Sequence, residues 1–197
     1  MTKTLFIGRT RVLALVVASL LVAALALTGG LGQRTSAVNA HAAVDGVQIL
    51  MHVKAKKQGA FKGDSTLKGF EDQITVSAYS FGIESLRDPA SGQPSGKRAF
   101  KPVTITKQMN QSSPQFLTAC SVNEDLTEVL INFYRSDRED RFVNFYRIKL
   151  TDALVISVKQ YTSGTTVLED ISFTFRKIEH ESLTGQTLWF DDGQNFS

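Results

Sequence analysis

At 197 residues the chain is long enough for one ordinary domain and an additional segment. Its 22 Lys and Arg exceed its 19 Asp and Glu for a net charge of +3, but four of the basic and none of the acidic side chains fall in residues 1–42. Residues 43–197 therefore carry 18 against 19, net −1, so the charge balance gives no reason to expect nucleic acid as a partner. A single cysteine, Cys120, excludes a disulfide-stapled scaffold, so an apolar core must hold the fold.

The N-terminal segment reads as a targeting sequence. Lys3, Arg9 and Arg11 precede an apolar run from Val12 to Leu27 whose one polar member is Ser19, and a small-residue stretch ends at Ala40-His41-Ala42-Ala43. A positive flank, an apolar centre and an A-x-A site make a signal peptide over 1–42. The run has 16 residues, short of the roughly 20 a membrane span needs. Left uncleaved, the same segment would be a membrane anchor.

Beyond it the pattern is that of strands. Val47, Ile49, Met51 and Val53 alternate with Gln48, Leu50 and His52, and Lys54 to Gly63 reads as a loop. Ile74 to Phe81 is a second strand. Leu86 to Lys101 holds two of the four prolines, two glycines and no apolar period, so it is expected as a long, mobile, exposed loop. Val103 to Lys107 is a third strand. Ser113 followed by Pro114 suits a helix start, with Ser113 as cap; Phe116, Leu117 and Cys120 give the helix an apolar face, and it ends near Val122 to Glu124.

Val129 to Tyr134 is a further strand, and the charged run Arg135 to Arg141 a solvated hairpin tip. In Val143 to Tyr161, Tyr146, Ile148 and Leu150 alternate with Arg147 and Lys149. Thr151-Asp152-Ala153 then interrupts with turn-type residues, and Leu154, Ile156 and Val158 alternate with Val155, Ser157 and Lys159. This predicts two strands folded on one tight turn. Tyr161 to Thr166 is a loop, Ile171, Phe173 and Phe175 mark a half-buried strand, and Thr187 to Phe190 is a last strand before an acidic tail. Seven or eight strands with one short flanking α-helix indicate a mainly β fold, an antiparallel β-barrel of two sheets over residues 43–197.

Catalytic chemistry finds little footing. Glu179-His180-Glu181 is the one compact ligand-like cluster, but on a strand the two glutamates face away from the histidine. Cys120 lies on the apolar face of a helix with no base beside it. Asp191, Asp192 and Asn195 lack the spacing of a calcium loop, and Trp189-Phe190 reads as strand packing. No phosphate loop or nucleophile elbow occurs. No metal or cofactor is implied.

An ordered set of short motifs is more specific. GDSTLKGFEDQI (63–74), KPVTITKQMNQSSPQFLTA (101–119), EVLINFYR (128–135), NFYRIKLTDALVISV (144–158), LEDISFTFRKIE (168–179) and LTGQT (183–187) together resemble the haemolysin-coregulated protein (Hcp) family, the tube proteins of type VI secretion systems. The resemblance implies a non-enzymatic barrel that forms homo-hexameric rings, stacked into a tube, with sheath, tip and effector proteins as partners. It marks Gly63, Asp64, Ser65, Lys68, Gly69, Lys101, Pro102, Thr106, Lys107, Ser113 and Pro114 as structural motif positions. It also makes the loop holding Arg87, Asp88, Gln93, Lys97 and Arg98 a subunit contact. Arg147, Lys149, Ser157 and Lys159, on the second face of the central segment, become candidates for a lumen or a subunit interface.

The N-terminal segment departs from that family, whose tube proteins are loaded from the cytoplasm. The expectation is therefore a secreted or periplasmic chain, or one that reaches the exterior through the type VI apparatus if translation starts downstream. The alternative function is an exported monomeric β-barrel binding module. No nucleic acid is expected as a partner, and a membrane only where the leader is retained.

Overall fold

The computed structural model describes residues 46–192 apart from 94, 97 and 140; the leader predicted over 1–42 lies outside them. Eleven strands and one helix occur among the described residues. The strands are β1 (Gln48–Ala55), β2 (Gly59–Ala60), β3 (Ile74–Val76), β4 (Ala78–Ser80), β5 (Ile83–Glu84), β6 (Ala99–Phe100), β7 (Val103–Gln108), β8 (Leu126–Ser136), β9 (Phe142–Ser163), β10 (Thr166–Ser182) and β11 (Thr187–Asp191). The helix, α1 (Ser113–Ser121), follows β7. The expected mainly antiparallel β fold with one flanking helix is what forms.

The main sheet runs β2-β1-β8-β9-β10-β7-β4, with β3 added to β1 and β11 to β10; β5 and β6 form a separate pair. Every pairing is antiparallel. The strand expected over Ile74 to Phe81 breaks at Ser77. Its first half pairs with β1 and its second with β7, and the Ser77 N–H donates to the Thr106 carbonyl at 2.7 Å. One segment thus bridges the two ends of the sheet without a continuous ladder, and the barrel is not closed.

The main correction concerns the central segment. The two strands predicted to fold on Thr151-Asp152-Ala153 are one strand, β9, 22 residues long. At about 3.3 Å per residue it has a contour of roughly 70 Å, which a twisting sheet accommodates only with bends. Two bulges supply them, an extra residue at Phe145 where Phe133 and Tyr134 face Tyr146 and Asn144, and one at Ile156 where Ser172 and Phe173 face Ser157 and Val155. Between them Asp152 adopts a left-handed backbone with φ +49° while the register with β8 and β10 continues unbroken. The buried positions step there from Leu150 to Ala153 instead of by twos, so Ala153 and Val155 are buried while Ile156, expected inward, is 49% exposed.

The reversals lie at either end of β9. The 137–141 tip follows β8 as predicted, with the Asp137 carboxylate accepting the Glu139 and Arg141 N–H groups. At the other end Ser163 and Thr166 pair directly, and Gly164 has φ +60°, the conformation a two-residue turn demands at its first central position.

The core is filled by inward residues of β1, β7, β8, β9 and β10, among them Met51, Val53, Ile105, Val129, Ile131, Leu150, Ile171 and Phe173. Phe61, in the stretch expected as a plain loop, joins them beside the short β2 hairpin and packs edge-on against Phe116 at 5.0 Å. Helix α1 covers the barrel with Phe116 and Ala119; Leu117, predicted on its apolar face, is 45% exposed. The helix ends where expected. Asn123 takes φ +49°, and the Glu124 N–H donates to the Ala119 carbonyl at 2.9 Å, satisfying a terminal carbonyl.

Candidate functional site

The first motif, Gly63 to Gly69, builds a compact loop against β3. The Gly63 N–H donates to the Asp72 carbonyl (2.8 Å), and the Ser65 N–H to the Gln73 carbonyl (2.9 Å). The Asp64 carboxylate accepts the Thr75 N–H (2.9 Å), and the Gln111 side-chain amide donates to the Gly63 carbonyl. A β-carbon on Gly63 would stand 2.1 Å from the Gln73 carbonyl carbon and oxygen, so only glycine fits. Beyond Gly69, the Glu71 carboxylate accepts the Gly69 N–H at 2.8 Å, and backbone bonds of this kind hold its pKa below the usual value. Lys68 is exposed. Phe70 then packs edge-on against Tyr134 and Phe142 at 5.0 and 5.4 Å, fixing the loop to the β8–β9 hairpin.

The second motif centres on a buried charge pair. Lys107, on β7, and Glu169, on β10, have fully buried side chains with Nζ 2.7 Å from Oε1. Lys107 Nζ also donates to the Gln108 carbonyl (2.9 Å) and Asn110 Oδ1 (2.8 Å). The Ser113 hydroxyl donates to Glu169 Oε1 (2.7 Å), and Gln160 Nε2 to Glu169 Oε2 (2.9 Å). Burial pulls the Lys107 pKa below the ordinary lysine value, against the opposing pull of Glu169.

Ser113 was expected as the helix cap; it is the first helical residue instead, with Ser112 at the cap position. Its hydroxyl is drawn into the charge pair, and also accepts the Asn110 N–H at 3.0 Å. Pro114 occupies the first turn, where its missing N–H costs nothing. Thr106 bonds the Asp170 carboxylate at 2.7 Å across the strands. Lys101 pairs with Glu84 at 3.0 Å, and Pro102, exposed, lies between β6 and β7.

The stretch expected as a mobile loop is organised as a β-arm. Ile83 and Glu84 pair with Phe100 and Ala99 at its base. At its tip the Asp88 carboxylate accepts the N–H groups of Ala90 and Ser91 and the Ser91 hydroxyl, and these bonds lower its pKa. The Asp88 N–H donates to the Gln93 carbonyl (2.9 Å), and Arg87 to the Gly92 carbonyl (3.2 Å). Arg98 is half-buried before β6, and Lys97 lies outside the described residues. Turn bonds within a Pro/Gly/Ser-rich stretch supply the order that its composition concealed.

The four second-face positions lie away from the core, Arg147 and Lys149 half-buried and Ser157 and Lys159 exposed. They do not form one patch. Arg147 and Lys149 lie towards β8 and β11, where Arg147 meets Glu181 and Lys149 meets Glu128, both at 3.3 Å. With Glu179 and Leu188 they line a shallow charged cleft of about 360 Å³. Ser157 and Lys159 are exposed in the β7 half of the sheet, opposite Ser172 and Asp170. Beside the charged cleft, β11 pairs with β10 and exposes Leu188 (60%) and Phe190 (49%).

Glu179 and Glu181 face this cleft while His180 faces the opposite side among aromatic rings, the divergence expected of neighbours on a strand. Cys120 is half-buried against the core. Asp191, read as the start of a polar tail, is a buried end of β11. Among the described residues no group of three His, Cys, Asp or Glu side chains is placed to hold a metal. Sequence reasoning missed Glu169, Asn110 and Gln160. It also missed Glu124, whose carboxylate accepts the backbone N–H groups of Lys57 (2.6 Å) and Gln58 (2.8 Å). Glu169 and Glu124 carry no local signal, because Ser113, Lys57 and Gln58 lie 56 to 67 positions from them; Asn110 bonds Lys107, Ser112 and Ser113 close by, in a stretch that holds no apolar period to mark it.

These features define a small antiparallel barrel in which motif residues fix a loop, a helix and an arm, and in which charged groups pair with one another. The family model described as "Type VI secretion system effector, Hcp" matches residues 51–181, and the chain belongs to the Hcp family. A "Major exported protein" of Pseudomonas aeruginosa is 37% identical over 146 residues, 68% of this chain and 85% of that protein. A crystal structure of an Hcp protein superposes with a TM-score of 0.70 at 27% identity, over 74% of this chain and 98% of that one. The secreted protein Hcp3 of Pseudomonas aeruginosa gives a TM-score of 0.62 at 31% identity, over 75% and 98%.

Proposed function

We infer that the chain is a non-enzymatic structural protein that assembles with copies of itself into a ring of the type VI secretion tube, reaches the exterior of the cell, and passes effectors through the ring. The observation that carries this reading is the family match over residues 51–181 on a barrel whose motif residues are spent on holding its loop and helix in place. Two surfaces suit contact between copies. One is the cleft of alternating charges around Arg147, Lys149, Glu128, Glu179 and Glu181, beside the apolar Leu188 and Phe190 of β11. The other is the arm 83–100, tied at its base and tip. A ring needs two different faces that meet head to tail and close, and these are two different faces.

Native mass measurement on the purified full chain tests the reading: a closed oligomer is expected, reduced in size or affinity on deleting residues 87–98. A monomer at high concentration would sink it and favour the exported binding module. Effector passage is tested by co-purifying an effector with the ring, and a ring that retains none leaves that part without support.

A further inference from the structure

His180 joins the base of the arm to the barrel through a chain of rings. Phe81 lies tilted over its imidazole at 5.4 Å, and Tyr146 and Trp189 meet it edge to face at 5.9 and 5.4 Å. Phe81 in turn stacks on Phe100 at 6.4 Å, and both meet Phe175 edge-on at 6.1 Å. Phe100 belongs to β6, so the rings run from the arm base to β9, β10 and β11. These partners are held differently. Tyr146 and Trp189 lie in strands laddered to β10. Phe81 lies between β4 and β5, and β5 and β6 form a sheet of their own. Among the described residues no ladder joins β5 or β6 to the main sheet, so ring contacts seat the arm base.

That seat suits a neutral imidazole and not a charged one. The Tyr146 hydroxyl and His180 Nδ1 bond at 3.1 Å, while Nε2 is buried with no protein partner. A neutral ring has one donor and one acceptor, but an imidazolium makes both nitrogens donors. Its Nε2 N–H then lacks an acceptor and its charge a counter-ion. The titratable groups facing it are Tyr79 from β4 and Tyr146 from β9, while β8 presents Phe133, β11 Trp189 and the arm Phe81. Glu179 and Glu181, its neighbours on β10, face the charged cleft. Arg135 lies over the Phe145 ring at 4.9 Å, and Lys101, Arg176 and Asp191 line a separate hollow beside Phe100 and Phe175. Ring faces attract a cation. Burial nevertheless holds the His180 pKa below its ordinary value, so the loss of hydration outweighs them.

We propose that His180 is an acid-operated latch: neutral, it seats Phe81 and the base of the arm on the barrel, and protonated, it releases them so that water reaches the imidazole. Phe81 is the ring that moves, because it alone of the three around His180 lies outside the ladders. The hollow beside it is already open to solvent, so release leaves the main sheet intact. The sign follows from the buried, neutral ring. The seated form is favoured above about pH 6.5, and the ratio of released to seated rises by up to about tenfold for each unit of pH below it, until the seated form itself takes up a proton. The latch goes beyond ring assembly, since every group it uses belongs to one chain.

The test is amide hydrogen exchange of the full chain between about pH 5 and 8, read by mass spectrometry, with each rate divided by that of the unprotected amide at the same pH. The Lys101 amide, which donates to the Gly82 carbonyl at 2.9 Å, reports the arm base. Amides of β9, paired on both sides, report the barrel. The arm base should be at least about tenfold less protected than β9, because a smaller opening exposes it. Its protection should fall by up to about tenfold per unit below about pH 6.5. His180→Phe keeps a ring against Phe81 without a titrating group and should remove the fall. Arm-base protection independent of pH in the wild-type chain would overturn the proposal, as would the same fall in His180→Phe. So would arm-base protection equal to that of β9 at every pH, since nothing smaller than the barrel would then be opening. Should His180→Phe fail to fold, Phe81→Ala decides. Exchange at the histidine C2 position reads the imidazole's own titration, which should move up towards about 6.5 in that variant; an unmoved titration would count against the latch. Failure on any of these grounds leaves the oligomer measured by native mass unaffected.

Discussion

Replacing Lys107 with methionine should destabilise the domain by about 3–5 kcal/mol, the usual cost of stranding one member of a buried ion pair. The geometry says why the loss is large although the intact pair contributes little. At 2.7 Å and an effective dielectric of about 20, the attraction is about 6 kcal/mol. Removing both ions from water costs several kcal/mol each, so the intact pair comes out near balance. Methionine fills the volume of the lysine stem but takes away the attraction and leaves the desolvation of Glu169. The bonds from Ser113 and Gln160 remain, and they offset only part of it. Asn110 Oδ1 keeps two donors, the Ser112 N–H and hydroxyl, so the damage concentrates on the carboxylate.

Chemical denaturation of the purified chain checks the figure, and thermal unfolding should show a drop of roughly 6–20 °C for a domain of this length. The double variant Lys107→Met/Glu169→Leu removes both charges and should recover at least half of the loss. A single variant within about 1 kcal/mol of wild type would refute the reasoning, as would a double variant as unstable as the sum of the two singles, because strongly coupled neighbours cannot be additive.

Gly63→Ala should cost more than about 3 kcal/mol, since the added carbon meets the Gln73 backbone at 2.1 Å; hydrogen exchange should show the Gly63 and Ser65 amides deprotected, and an unchanged melting curve would contradict the close approach. Burial holds the His180 pKa below its usual 6.5. The unfolded chain therefore takes up a proton that the folded chain refuses, and stability present above about pH 6.5 is lost progressively as pH falls below it. His180→Phe should flatten that slope in denaturation midpoints. The carboxylates of Glu71, Asp88 and Asp137, held low mainly by backbone hydrogen bonds, lose their contribution only at more acidic pH, below about 4. Asp152→Val should cost about 1–2 kcal/mol more than Asp152→Asn, because a β-branched side chain resists φ +49° and asparagine accepts it, while both lose the same exposed pair with Arg176; equal unfolding curves for the two would count against the left-handed conformation.

How far the fold could be read in advance depended on whether its causes were local. Ile171, Phe173 and Phe175 announced β10 because alternation is the strand's own period, and Pro114 with Phe116 announced α1. The central segment misled for a physical reason. Asp152 in a left-handed conformation serves a chain reversal and a change of face within one strand equally well, and Thr151-Asp152-Ala153 does not say which. The traces are the odd spacing from Leu150 to Ala153 and, at the bulge, from Val155 to Val158. Apolar residues at 154 and 156 hid them by supplying a regular alternation on the wrong face. The arm was misread because a two-residue ladder and a carboxylate turn leave no apolar period. Glu169 was illegible for the opposite reason. Its burial is decided by Lys107 and Ser113, 62 and 56 positions away, and in its own strand it resembles any solvent-facing acid.

The distribution of polar groups supports the structural part proposed above. An active centre needs polar groups that are buried yet reachable, with bonding capacity held open for a substrate. In this barrel the fully buried charges, Lys107 and Glu169, exhaust most of their capacity on each other, on Ser113, Asn110 and Gln160, and on the Gln108 carbonyl. That network ties β7, β10 and the start of α1 at one point, so it fixes the angle of the helix on the barrel. The charges of Arg147, Lys149, Glu128 and Glu181 do the reverse. They are paired only loosely, at 3.3 Å and at the surface, where such pairs contribute at most about 1 kcal/mol. Their partners can be exchanged for those of a second molecule at small cost. A rigid interior and an exchangeable rim are the properties an assembling subunit requires, and they suit the ring proposed above.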